Sequence, residues 1–123
     1  MIIVTFNGTE EPMYEIEKFG AALDRFDAQS LFELWLNVPG GASLSMLRND
    51  EHAFLMYLRG LGDSGFVSVG EEADGSVQYT LGNGQVDEYP LSWCIPLEEC
   101  YKALAYFFVN YGMRPEWLRW QAS

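Results

Sequence analysis

The chain is 123 residues long, 49% hydrophobic, and carries 18 acids against 7 bases for a formal net charge of -11. That length fits one domain with enough apolar side chain to build a core without disulfide or metal staples. The charge argues against nucleic acid and anionic lipid as partners, which such a surface repels, and favours a cationic surface.

The acids are unevenly placed. From Gly60 to Tyr101 there is no Lys, Arg or His, while the same stretch holds Asp63, Glu71, Glu72, Asp74, Asp87, Glu88, Glu98 and Glu99. A continuous anionic third strengthens the case for a charged binding face, beyond the solubility that any acidic surface confers. The two cysteines, Cys94 and Cys100, are too few for a disulfide scaffold and read as half-buried thiols. Met1–Phe6 lacks the basic n-region and length of a signal peptide, and no apolar run approaches a membrane span. The expectation is a single cytoplasmic domain, 1–123, in a reducing compartment.

Along the chain, Ile2–Phe6 is β-branched and aromatic and reads as a strand, closed by a turn at Asn7-Gly8. A helix is expected from about Met13 to Asp27, with Ile16, Phe19, Leu23 and Phe26 on one stripe. Strands follow at Leu31–Val38, Ser43–Met46, Ala53–Leu58, Phe66–Val69 and Val77–Leu81, separated by turn signals such as Pro39-Gly40-Gly41, Asp74-Gly75 and Asn83-Gly84. A second helix is expected with Pro96 as a tolerated first-turn proline and Glu98 and Glu99 following in the first turn, where the helix dipole favours acids. It presents Leu97, Cys100, Tyr101, Leu104, Phe107, Phe108 and Tyr111 on its apolar face, with Glu98 and Lys102 spaced to pair. Gly112 is expected as its left-handed cap, Arg114-Pro115 stops it, and Trp117–Gln121 reads as a last strand. The fold class is therefore α+β: a twisted antiparallel meander of six to seven strands with two helices on one face, the other face free to meet a partner.

No catalytic template is met. The one histidine, His52, lies beside Asp50 and Glu51 in an expected turn, which would not exclude water. Cys94 and Cys100 have no second pair for zinc, and the acids lack calcium-loop spacing. The glycine-rich turns at Gly60–Gly62 and Gly82–Gly84 lack a phosphate-loop lysine. Carboxylate pairs are abundant, but nothing singles one out. The reading is a non-enzyme with no cofactor, metal or small-molecule substrate. Most of the aromatics belong to the core, with Tyr79, Tyr89 and Trp93 standing apart because they lie in the anionic third.

The C-terminal third carries a resemblance. Phe107-Phe108 on the amphipathic helix, the Arg114-Pro115 turn and Leu118-Arg119-Trp120 together resemble the tail of the Imm1 family of bacterial immunity proteins from polymorphic toxin systems. The earlier order of helix, Gly-Gly hairpin and Gly- and acid-rich middle is similar as well. The resemblance implies a cytoplasmic protein that binds and inhibits a cognate toxin domain, often a nucleic-acid deaminase. The tail residues identify the scaffold more than the binding site, and Arg114 is expected to pair a carboxylate or cap the helix. The acidic surface implies partner contacts at Asp63, Glu71, Glu72, Asp74, Asp87, Glu88 and Tyr89, in loops of the anionic stretch. Alternatives are immunity to a nuclease toxin, a generic acidic adaptor, and a small enzyme built on His52 or a carboxylate pair. Homodimerisation through the free sheet face stays open.

Overall fold

The computed structural model describes residues 1–72 and 74–123. Strand β1 (Ile2–Phe6) turns at Asn7 (φ 49°) and Gly8 (φ 86°) into β2 (Thr9–Met13). Two successive positive φ values give the tight turn whose twist matches an antiparallel pair. Helix α1 (Ile16–Asp27) follows, then β3 (Phe32–Asn37), β4 (Ser43–Arg48), β5 (Ala53–Leu58) and β6 (Phe66–Ser68). Next come β7 (Ser76–Thr80), β8 (Val86–Pro90), a 3-10 turn (Leu91–Trp93), helix α2 (Leu97–Val109) and β9 (Trp120–Ala122).

Seven strands form one antiparallel sheet in the order β2-β1-β3-β4-β5-β6-β9. Strand alternation sends Ile2, Val4, Phe32, Leu34, Leu36, Leu44, Met46 and Leu55 to one face, where they meet Phe19 and Ala22 of α1 and Leu104 and Phe107 of α2. Phe19 stacks on Phe108 at 4.7 Å between ring centres, joining the two helices over the sheet. The α+β class, the near-meander and the two helices on one face all match the sequence reading.

Besides the last strand, which runs Trp120–Ala122 in place of the expected Trp117–Gln121, and the added strand β8, three details differ from it. Strand β2 replaces the expected start of the first helix: Met13 is buried opposite Ile2 in the sheet, and the helix begins at Ile16. The segment Glu10-Glu11-Pro12 has poor strand propensity, yet charge and proline suit an edge strand that must not recruit another chain. Second, β7 and β8 do not extend the sheet. They form a separate hairpin that packs on its opposite face, so that face is partly covered. Leu47 and Phe54 project from the main sheet into a second cluster with Val77 and Tyr79, edged by Tyr89, Leu91 and Trp93. Third, the left-handed residue ending α2 is Tyr111 (φ 48°), one residue before Gly112. The Gly112 N–H reaches back to the Phe107 carbonyl at 2.9 Å, the Schellman closure, and Gly112 itself is also left-handed (φ 99°).

The hairpin cluster is anchored where the chain leaves β6. A Cβ on Gly70 would collide with the Cys94 carbonyl oxygen, a backbone atom that cannot swing aside. Gly70→Ala is therefore expected to cost about 2–4 kcal/mol in urea unfolding, through forced separation of the two chain passes. Gly20 is the opposite case: it lies inside α1, and a Cβ there meets nothing within 4 Å. Gly20→Ala should stabilise by about 0.5–1 kcal/mol in the same assay.

Candidate acidic cleft

Ser68 is fully buried and organises the end of the sheet beyond the β4–β5 turn. Its hydroxyl accepts the Leu55 N–H at 3.0 Å and donates to the Trp93 carbonyl at 2.8 Å. Nearby, the Gly70 N–H donates to Ser92 O at 2.7 Å, Val69 N–H to Arg119 O at 3.0 Å, and Ile95 N–H to Ala53 O at 3.0 Å. These bonds gather four distant chain segments at one corner. Between them lies a cleft of about 420 Å³.

The apolar part of its lining comes from Leu91, Ile95, Pro96 and Leu118. Its walls carry four carboxylates, Glu51, Glu71, Glu72 and Glu99, with Trp117, His52 and the guanidinium of Arg119. Arg119 is tethered to the Gly70 carbonyl at 3.3 Å. Glu99 accepts the Trp117 indole N–H at 3.1 Å and faces Lys102 at 3.9 Å, so the helix pair is Glu99–Lys102 and not the expected Glu98–Lys102. Trp117 remains 49% exposed in this lining, while Leu97, 42% exposed, lines a neighbouring pocket that shares Glu51 and His52.

The expected contact residues fall in three places. Glu71 and Glu72 line the cleft, and Asp74 follows them, exposed, in the same loop. Asp87, Glu88 and Tyr89 sit on β8: Glu88 points to solvent, whereas Asp87 and Tyr89 share the inner side of the hairpin. Tyr89 stacks on Trp93 at 5.6 Å and its hydroxyl donates to Asp87 at 3.1 Å. Asp63 lies apart, in the β5–β6 loop at the other end of the strands. It pairs with Arg59 at 2.8 Å and accepts that residue's backbone N–H, and these bonds hold its carboxyl well below the usual carboxylate range.

Glu51, Glu99, Leu97 and Trp117 were not singled out by sequence. Glu99, Leu97 and Trp117 lie in or beside the tail motif and read as scaffold, and Glu51 as a turn residue. His52, expected in a solvated turn, is half-buried on the cleft wall, with its backbone N–H held by the Asn49 side chain at 2.7 Å. Arg114 neither pairs a carboxylate nor caps α2 among the described contacts. Its guanidinium lies over the Phe66 and Trp120 rings at 5.0 and 5.7 Å. Cys100 is buried and Cys94 half-buried, both free thiols, and Cys94 also borders the cleft. Among the described residues no three of His, Cys, Asp or Glu converge as a metal ligand set, and no helix is long and apolar enough to cross a membrane.

These features describe an α+β fold with an acidic, aromatic-edged cleft. A family model described as "Immunity protein Imm1" matches residues 7–122, and the chain belongs to that family. Membership implies a toxin-inhibiting immunity role exercised by binding a toxin protein. No curated protein matches the chain.

The aromatic packing behind the cleft makes the fold sensitive to base. The Tyr79 hydroxyl lies 3.1 Å from Cys94 Sγ. Burial, then the Cys94 bond, pushes the Tyr79 phenol up from its ordinary 10.0. Burial, then the Asp27 carboxylate, does the same to Tyr101, and burial raises both thiols above 9.0. Raised values mean the folded state holds these protons more tightly than the unfolded chain. The stabilisation is complete below the unfolded values and is lost as pH climbs through 9.0 for the thiols and 10.0 for the phenols towards the folded values. The urea midpoint should stay level near neutrality and fall in that alkaline window. Tyr79→Phe should remove part of the fall while costing about 1 kcal/mol at neutral pH for the lost hydrogen bond.

Proposed function

We propose that this chain is a cytoplasmic immunity protein that binds the catalytic domain of a nucleic-acid deaminase toxin and blocks its active site. The observation that carries this reading is the gathering of Glu51, Glu71, Glu72 and Glu99 around one cleft that also holds the exposed Trp117. A toxin that works on DNA or RNA needs a basic groove for phosphates. A deaminase must also admit a flipped or single-stranded base to its pocket. An acidic domain seated on that groove excludes the substrate without doing chemistry of its own. The aromatic and aliphatic groups supply the desolvated contact that holds it there, and the carboxylates speed encounter by steering.

Within this reading Glu71, Glu72 and Asp74 form the contact rim. Glu88 and the edge of Tyr89 extend it along the hairpin. Asp87 supports Tyr89, and Asp63, neutralised by Arg59 at the far end, adds least.

The toxin encoded beside this gene is the partner to test. Purified chain should suppress its deamination of single-stranded DNA or RNA, and co-expression should rescue cells from it. Failure to inhibit any neighbouring toxin would end the immunity reading, and inhibition of strand cleavage in place of deamination would reassign the partner to a nuclease. The double reversal Glu71→Lys with Glu72→Lys alters two exposed side chains. It should leave the fold intact and slow association roughly tenfold or more at low salt, flattening the salt dependence. An unchanged association rate would remove both residues from the interface.

A further inference from the structure

Trp117 is about half exposed (49%), yet it is not loose. Its N–H is held by Glu99 at 3.1 Å, and its ring meets Tyr106 edge-on, 5.1 Å between centres at 83°. The indole is thus fixed at the cleft mouth with a carboxylate at its edge. Aromatic faces attract cations, indole most strongly.

The chain's own arginines show what such a surface receives. Arg48 lies over Phe32 at 4.4 Å, Arg59 over Phe66 at 5.0 Å, and Arg114 over Phe66 and Trp120 at 5.0 and 5.7 Å. Among the described residues no such cation covers Trp117. Arg119 shares the cleft but is turned to the Gly70 carbonyl. Lys102 reaches Glu99 only at 3.9 Å from an exposed position, a weak pair that an incoming cation can displace.

On the reading proposed above, we infer that the cleft is a socket for one arginine side chain of the toxin. The guanidinium lies on the Trp117 face and donates to the carboxylates of Glu71 and Glu72, while the aliphatic stem runs over Pro96 and Leu118. The apolar lining and acidic walls match the two halves of that side chain, and a cavity of about 420 Å³ admits it with accompanying water. Arginine fits better than lysine because its planar fork stacks on a ring and presents paired donors to a carboxylate. A toxin that acts on nucleic acid needs cations for phosphate, so a socket filled by one of them takes that cation out of its groove.

The test needs no toxin. N-acetyl-arginine amide is titrated into the intact chain while the indole N–H resonance of Trp117 is followed by NMR. A saturable shift is expected with a dissociation constant of about a millimolar, centred on Trp117, Leu118 and Glu71. N-acetyl-citrulline amide, matched in shape but uncharged, should bind about tenfold more weakly or worse. Glu71→Gln with Glu72→Gln should weaken the arginine probe by a similar factor, and Trp117→Leu should abolish its preference over the lysine amide. Equal response to arginine and citrulline overturns the socket, as does a shift centred on Glu10 and Glu11 of β2, or no shift at all. Loss of the socket with toxin inhibition intact leaves the immunity reading standing. Specific arginine binding without inhibition of the toxin leaves the socket and removes that toxin as the partner.

Discussion

The closest constraint in the molecule is the approach of two backbones, Gly70 against the carbonyl of Cys94. Only a residue without a Cβ permits it. One hydrogen bond from Gly70 to Ser92 and another from Ser68 to Trp93 then tie the end of β6 to the segment leading into α2. The chain between those points must loop out and back, and it does so as the β7–β8 hairpin. Because both ends of that excursion are pinned at the same corner, Glu71 and Glu72 arrive beside Pro96 and Glu99, some 25 residues further along the chain. The cleft follows from a steric fact about one glycine and from hydrogen bonds made mainly by backbone groups and one serine hydroxyl.

A second clasp holds the opposite layer. The Arg48 guanidinium donates to Asp27 Oδ1 at 2.7 Å, to the Gln29 carbonyl at 2.6 Å and to the Tyr101 hydroxyl at 3.0 Å, while its plane covers Phe32. The end of α1, the sheet and α2 are thereby linked through one side chain. Tyr101 completes the triangle by donating to Asp27 at 2.6 Å. The helix that carries Glu99 is thus fixed from below by this network and by the Schellman closure at its far end. A rigid wall loses little entropy when a partner arrives, so more of the contact energy appears as affinity.

These devices also explain what could be read in the chain and what could not. Helix α2 was legible because its signals agree: proline and acids at the start, apolar spacing of 3.6, and a stop at Gly112 to Pro115. The order of strands was legible from their turns. The hairpin's departure was not, since Val77 and Tyr79 alternate with polar residues as a strand in the main sheet would. Alternation says that one side is buried and is silent on what buries it. Strand β2 was hidden because edge protection selects residues that look unlike a strand. The anionic run named Glu71 and Glu72, which line the cleft, but charge alone could not separate them from Asp63, whose neutralising Arg59 lies four residues away. Nor could it recruit Glu51, which lies outside the run, or single out Glu99 within it; the fold delivers both to the cleft.

Charge and shape divide the work at this surface. A net charge of -11 acts over distances near the Debye length and is felt before contact, whichever way the molecule is turned. Such a field raises the encounter rate with any cationic protein and cannot by itself select one. Selection needs groups that act only when desolvated, and on the proposed reading these are the Trp117 indole and the apolar lining made by Ile95, Pro96 and Leu118. Ringed by carboxylates, these apolar groups reward a partner that brings a cation with a hydrophobic stem and penalise one that brings an acid or an unpaired polar group. A single surface acid elsewhere contributes to that field only as one charge among many. The corner pinned by Gly70 and Ser68 has no such redundancy.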